Sequence, residues 1–137
     1  MTNYLEIVKN CFDNYGINFR ECRDGNSIAV LFAGENLKTI PVNLFFDPDG
    51  EHMVMIDCWE IFKVPRDKIE KAYALFNGLN EKYRWVKFYV DSDFDVRVQS
   101  DAIMSEENAG EVCREIVLRT VNIIDEAYLD IVRTLLL

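Results

Sequence analysis

The C-terminal stretch of the chain restricts the possible folds more than any other feature. Ser105 is a good helix N-cap, Glu106 and Glu107 suit the positive end of a helix, and a helical pattern then continues to the C-terminus. Such a helix would be about 45 Å long. Its apolar positions cover roughly 200° of its circumference, whereas a surface helix needs a stripe little wider than about 100°. We therefore expect it to be covered by its own sheet on one side, and by the first helix or a second subunit on the other.

The rest of the chain shows helical and strand patterns joined by short connections. A first helix is expected after Asn3, which can form a capping box with Glu6, and it should end near Gly16. A second helix should begin at Pro65. Strands are indicated at residues 27–33, 39–46, 52–62, 86–91 and 96–99, with a DPDG turn at residues 47–50. We predict one α+β domain over residues 1–137, with an antiparallel five-stranded sheet, three helices and the order α-β-β-β-α-β-β-α.

The composition supports one independently folding domain and argues against several kinds of partner. Half of the 137 residues are hydrophobic, which is enough for a core without disulfides or metals. The formal net charge of -9, with the basic residues scattered, disfavours nucleic acid and anionic membranes. No apolar run approaches the ~18 residues of a membrane span, and the N-terminal residues lack a signal-peptide pattern. We expect a cytoplasmic protein that binds neither nucleic acid nor membrane.

The side chains that could carry chemistry form no recognisable catalytic or metal motif. The cysteines show neither a CxxC pair nor zinc-ligand spacing, and we interpret them as small hydrophobic residues in a reducing compartment; they are Cys11, Cys22, Cys58 and Cys113. His52 is the only histidine, and no nucleophile motif accompanies it. A GxGxxG loop and a P-loop are both missing from the sequence. We predict no enzymatic activity, no cofactor and no metal site.

The three aspartates Asp91, Asp93 and Asp95 resemble the start of a calcium loop. The rest of that pattern fails, because Val96 replaces the glycine of the sharp turn and Ala102 replaces the bidentate glutamate. A polar hairpin tip explains these aspartates better than a metal site does.

Two asparagines, Asn77 and Asn80, lie three residues apart at the end of the second predicted helix and can share one helix face. They could form a recognition pair. We favour a structural role, in which they bind the last helix carbonyls or brace the turn into the fourth strand.

The third predicted strand is apolar on both faces, which usually means that both faces are buried. Three helices are too few to cover both faces of the sheet, so one face is either an interaction surface or covered by helix packing within the chain. One row contains Val54, Ile56, Cys58 and Phe62, and the other contains Met53, Met55, Trp59 and Ile61 with Asp57 among them. Methionine adapts to different partners and tryptophan buries a large area. We name Met53, Met55, Trp59 and Ile61 as candidate protein-binding residues.

Two segments carry a family resemblance: LFNGLN at residues 75–80 and WVKFYVD at residues 85–91. They resemble the YbjN-like family, in which an N-x-L-N helix end precedes a strand, a short acidic turn and a second strand. The order of elements is similar to the type III secretion chaperone fold. The resemblance implies a protein-binding regulator of bacterial sensory transduction, often dimeric and cytoplasmic, without enzymatic activity or cofactor. This chain has Phe94 at a hairpin tip where the family often has glycine, which affects the turn type rather than the fold.

Two functional hypotheses follow. The first is a non-catalytic protein-binding module, chaperone-like or regulatory, that acts in bacterial signalling or stress response and forms a homodimer. Its partner would bury a segment around Met55 and Trp59 or add a strand to a sheet edge. The alternative is a small-molecule sensor with a pocket between the sheet and the C-terminal helix, lined by Tyr73, Trp59 and Phe88.

Overall fold

The described part of the chain forms three α-helices and one antiparallel sheet. The computed structural model describes residues 2–49 and 52–137, so the last residue of the expected DPDG turn lies outside the described residues. A short 3-10 turn, Arg66–Lys68, leads into the second helix. The elements are α1 (Tyr4–Asn14), β1 (Arg20–Glu21), β2 (Ser27–Phe32), β3 (Ile40–Phe46), β4 (Met53–Cys58), α2 (Ile69–Lys82), β5 (Lys87–Val90), β6 (Val96–Ile103) and α3 (Ala109–Leu135).

The sheet of the described residues has the order β1-β2-β3-β4-β6-β5 and therefore six strands rather than the expected five. The additional strand is β1, in which Arg20 pairs with Ala29 and Glu21 with Ile28 of β2. Two exposed polar residues carry no alternating pattern, so sequence reasoning could not find it. The expected antiparallel meander of β2, β3 and β4 is confirmed, with Leu44 opposite both Ile28 and Ile56.

The helices cover one face of the sheet, called here the inner face. Alternate residues of β3 and β4, including Leu44 and Ile56, point into a core beneath α3. Helix α3 contacts β3 and β6 and also packs against α1 and α2. At the α1–α3 contact, a Cβ atom at Gly110 would lie 2.5 Å from the Cβ of Cys11. The wide apolar surface of α3 is therefore covered within one chain, by the sheet and by the other two helices.

Helix α3 begins at Ala109 and not at the expected N-cap, Ser105. Residues 105–108 form a turn instead, in which the backbone N–H of Ser105 donates to Asn108 Oδ1 at 2.7 Å. The helix is 27 residues long. No helix among the described residues is both long and apolar enough to cross a membrane.

The opposite face, called here the outer face, has no helix over it in the described part of the chain. Met53 is 50% exposed, and Met55 and Trp59 are half-buried on this face. Ile61 is a correction, because it is only 5% exposed and belongs to the core. Strand β4 ends at Cys58, and Glu60 adopts a left-handed backbone with φ of 63°. This turn breaks the strand alternation and directs Ile61 inward.

Candidate protein-binding surface

A cluster of large apolar side chains lies on the outer face. It consists of Phe45, Met53, Met55 and Trp59 and is called here the outer-face cluster. Phe45 lies directly opposite Met55 in the β3–β4 pair, so their side chains share a face. The rings of Phe45 and Trp59 stack, with centroids 6.4 Å apart and planes inclined by 26°. The structure thus brings together three of the four predicted binding residues, and Phe45 replaces Ile61.

A hydrogen-bonded network of charged and polar groups lies beside this cluster. The buried carboxylate of Asp57 accepts hydrogen bonds from Arg97 Nε at 3.3 Å and from Gln99 Nε2 at 3.2 Å. Arg97 also pairs with Asp91 at 3.3 Å, and its guanidinium carbon lies 5.1 Å from the ring centroid of Trp59. The hydrogen bond from Arg97 to Asp57 raises the pKa of Arg97, so the guanidinium stays charged. Because both charges are paired, this network is suited to orienting Trp59 rather than to proton transfer.

The carboxylate of Asp91 also braces the hairpin between β5 and β6. Its Oδ1 accepts the backbone N–H groups of Asp93 at 2.9 Å and Asp95 at 3.0 Å. Burial opposes ionisation of Asp91, but these hydrogen bonds and Arg97 outweigh it and lower the pKa. The prediction of a hairpin tip is confirmed by this turn. The described residues contain no group of three or more acidic, histidine or cysteine side chains placed to hold a metal ion.

Asn80 joins the end of α2 to β5. Its Nδ2 donates to the backbone carbonyl of Phe88 at 3.1 Å, and its Oδ1 accepts the N–H of the same residue at 2.7 Å. The structural role predicted for this asparagine is confirmed. Asn77 is exposed on α2.

Two of the thiols lie in the core, and the histidine contacts a tyrosine. Burial raises the pKa of Cys58 and of Cys113 to about 12, so both thiols stay protonated and act as small hydrophobic residues, as predicted. Cys11 is half-buried between α1 and α3. The Nδ1 atom of His52 contacts the hydroxyl of Tyr4, which fixes the histidine at the start of β4.

A second surface feature lies where the end of β6 faces the first half of α3. It is a cavity of about 740 Å³, called here the edge groove. Its apolar lining consists of Met53, Trp85, Ala102, Ile103, Val112 and Ile116. Its position between sheet and C-terminal helix agrees with the pocket expected for a sensor. Its lining does not, because Tyr73 is exposed on α2, Phe88 lies in the core, and Trp59 belongs to the outer-face cluster.

The charged lining of the edge groove is mainly acidic, with three carboxylates and one guanidinium: Asp101, Glu111, Glu115 and Arg119. Glu111 accepts the hydroxyl of Tyr15 at 2.7 Å, which is the main reason that its pKa is lowered. Arg119 pairs with Glu115 at 3.4 Å. No ion pair involves Asp101 among the described residues. Sequence reasoning did not find the residues that line this groove, because they depend on where β5 and β6 end.

Comparisons with known proteins place these features in a family. A model of the YbjN family, described as "Putative bacterial sensory transduction regulator", matches residues 4–135. The fold is similar to the crystal structure of "YbjN, a putative transcription regulator from E. coli", with a TM-score of 0.62, 14% identity and 90% of each chain covered. It is also similar to a chain in the "ExsC-ExsE Complex", with a TM-score of 0.62, 11% identity and coverage of 90% of this chain and 89% of that one. No curated protein is similar enough in sequence to be a match. The match over residues 4–135 confirms the family resemblance, and the chain therefore belongs to the YbjN family.

Proposed function

We propose that this chain is a non-catalytic protein-binding module, chaperone-like or regulatory, that acts in bacterial signalling or stress response. The observation that carries the proposal is the outer-face cluster, a group of large apolar side chains without a covering helix in the described part of the chain. Contiguous apolar surface of this kind is characteristic of interaction sites.

The chemistry of the outer face supports binding rather than catalysis. Asp57 and Arg97 satisfy each other, and Gln99 completes the bonding of the carboxylate. A partner would therefore meet a rigid apolar platform with a polar border, in which Trp59 is the largest anchor.

The family and the fold support the same class of function. The family description refers to regulation of bacterial sensory transduction. One structure with a similar fold is a chain in a complex of two named proteins, ExsC and ExsE. Both observations favour a protein as the partner of this chain.

The proposal includes a homodimer. Strand β1 pairs only with Ile28 and Ala29, so residues 30–32 of β2 have no outer neighbour in the described sheet. Leu31 is highly exposed on this edge. An open strand edge with an exposed leucine is suited to pairing with a second copy. Analytical ultracentrifugation should find dimers of the natural chain and monomers of a Leu31→Lys variant; a natural chain that stays monomeric would refute the dimer.

The test of the binding function compares two exposed aromatic residues. Tagged natural chain, Trp59→Asp and Tyr73→Asp are used to capture proteins from the source cell. Tyr73 is 60% exposed on α2, away from the outer face, and provides the matched control. We expect a partner that binds the natural chain and the Tyr73 variant and is lost with Trp59→Asp. Circular dichroism checks that each variant is folded.

Capture that is equal for all three chains would contradict a binding role for the outer face. A Met55→Lys variant provides a second test if Trp59→Asp unfolds the sheet, because Met55 belongs to the same cluster and is only half-buried.

The size of the edge groove favours a second candidate, the small-molecule sensor. A volume of about 740 Å³ lies within the range of pockets that hold small ligands. A sensor should show a higher melting temperature with at least one member of a metabolite panel. A melting temperature that no metabolite changes would count against this candidate.

A further inference from the structure

Half of β6 lacks a neighbour on the side of β5. Strand β5 pairs with residues 96–99 of β6, and its first residue, Lys87, lies opposite Gln99. Residues 100–103 are paired with β4 alone in the described sheet, with Ile103 opposite Met53. Such an edge presents backbone N–H and C=O groups with which another strand can pair.

Trp85 lies just before β5 and beside this edge. Its backbone is left-handed, with φ of 78°, which is unfavourable for a bulky residue and turns the chain away before β5 begins. Its indole is 57% exposed, and the guanidinium carbon of Arg119 lies 5.8 Å from the ring centroid. Unfavourable backbone conformations of this kind cluster at binding sites. Trp85 forms part of the wall of the groove instead of extending the sheet.

The apolar walls of the groove match the two faces of a strand. Met53 and Ile103 lie on the outer face, where Ile103 is 80% exposed. Val112 and Ile116 of α3 line the inner side. Because side chains of a strand alternate between two faces, a strand added at residues 100–103 directs one row of side chains toward Val112 and Ile116 and the other row toward the outer face, beside Asp101.

The charges of the groove identify the kind of segment that fits. Among its carboxylates, Glu111 pairs with Arg114 and Glu115 pairs with Arg119, whereas Asp101 is exposed without an ion-pair partner among the described residues. We propose that the edge groove binds an extended segment of a partner protein, with alternating apolar and basic residues, as a strand added along residues 100–103. This inference rests on the proposed protein-binding function and specifies the chemistry of the partner.

A second copy of this chain is a poor occupant of the groove. Two copies related by a two-fold axis would bring the acidic linings together, and each chain carries a formal net charge of -9. Juxtaposed like charges oppose such an interface. A cationic segment is attracted by the same charges.

The test measures fluorescence anisotropy with a labelled hexapeptide of alternating lysine and valine. One control peptide is methylated on alternate backbone nitrogens, which keeps the charge but blocks strand pairing. A second control has glutamate in place of lysine. We expect only the unmodified lysine–valine peptide to bind the natural chain.

The protein variants Asp101→Lys and Ile103→Lys should weaken binding about tenfold or more, equivalent to about 1.4 kcal/mol. Asp93→Lys makes the same charge change at the other end of the β5–β6 hairpin and should alter the affinity no more than about threefold, since distant surface charges are screened. All three positions are exposed, so the variants should fold.

Several results would overturn the inference. One is that the methylated or the glutamate peptide binds as tightly as the lysine–valine peptide. Another is that Asp93→Lys weakens binding as much as Asp101→Lys does. A third is that Ile103→Lys converts a dimer to a monomer. A metabolite that raises the melting temperature of the natural chain but not of Ile103→Lys, without peptide binding, would assign the groove to a small molecule. If the lysine–valine peptide does not bind the natural chain while capture of a partner still depends on Trp59, strand addition at the edge groove is refuted but the protein-binding function is not.

Discussion

The two faces of β4 are both apolar, but the helices of the described residues cover only one of them. Ile56 and its inner-face neighbours are buried beneath the helices. On the outer face, Met53 is half exposed and Met55 is half-buried. Hydrophobicity alone does not separate the two rows. The connections of the chain place all three helices on one side, and this placement decides which row becomes core and which can meet another molecule.

The largest effect is expected when adjacent residues of β4, one on each face, are truncated. This experiment directly compares the burial of the two faces. Ile56→Ala should lower the free energy of unfolding by about 4 kcal/mol, because it leaves a cavity in the core. Met55→Ala should cost about 1 kcal/mol or less, because its side chain still contacts solvent. Urea denaturation measures both. Equal costs would mean that the outer row is packed like a core and is not available to a partner.

The next effect concerns the polar network that stiffens the outer face. Asp57→Ala leaves Arg97 without its main partner and should cost about 3 kcal/mol. Replacing both partners, as Asp57→Ala with Arg97→Met, should cost less than the single change, because no guanidinium is left without its main partner and Asp91 still accepts two backbone N–H groups. Thermal and urea denaturation of the single and double variants measure this coupling. Strictly additive costs would show that the two side chains do not stabilise each other.

A smaller loss of stability is expected from a substitution of Asp125, which attaches α3 to the β2–β3 loop. The carboxylate of Asp125 accepts backbone N–H groups of Glu35 at 3.0 Å, Asn36 at 2.8 Å and Leu37 at 2.9 Å. Asp125→Asn should cost about 1–2 kcal/mol at neutral pH, because it replaces charge-assisted hydrogen bonds with weaker ones. A similar loss in Asp130→Asn, a change on α3 outside this contact, would contradict the assignment.

The pH dependence of stability gives the same contact an independent readout. The N–H of Leu37 is the main cause that lowers the pKa of Asp125 from its ordinary 3.8, with burial opposing and Asn36 and Glu35 adding to it. Because the folded pKa lies below the unfolded one, the stabilisation is complete above 3.8 and is lost as the pH falls through the folded pKa. The difference in stability between the natural chain and Asp125→Asn should therefore shrink below about pH 4.

The spacing of apolar residues along the sequence predicted which face of each strand and helix is buried. Leu44 and Ile56 alternate with less buried neighbours, and the apolar stripe of α3 is wide because α1, α2 and the sheet all contact it. Asn80 was assigned a structural role from its position at a helix end, and its two hydrogen bonds to Phe88 agree. These inferences needed only local spacing and the chemistry of helix ends.

The end of β6, the edge groove and the position of Ile61 depend on contacts between distant parts of the chain, which no local sequence pattern indicates. Strand β6 continues to Ile103, four residues beyond the strand expected at residues 96–99. Ser100 is buried beneath α3, and its hydroxyl is satisfied by that of Thr120 at 3.2 Å. The edge groove exists only because β6 is longer than β5. The prediction of Ile61 on the outer face is wrong, because no residue type near Glu60 indicates a left-handed backbone.

Changes at Glu60, where the chain passes from the outer face to the core, should have the smallest effect on stability. Its φ of 63° redirects the chain between Trp59 on the outer face and Ile61 in the core. Glycine adopts this conformation without strain, which removes a backbone cost of about 1 kcal/mol from the folded state. Glycine also increases the conformational entropy of the unfolded chain, which offsets part of this gain. Glu60→Gly should therefore stabilise the fold by about 0.5 kcal/mol, whereas the β-branched Glu60→Val should destabilise it by about 1 kcal/mol. Melting temperatures of the two variants measure this difference. Equal melting temperatures would mean that the backbone at Glu60 is not held left-handed, and the exclusion of Ile61 from the outer-face cluster would lose its physical basis.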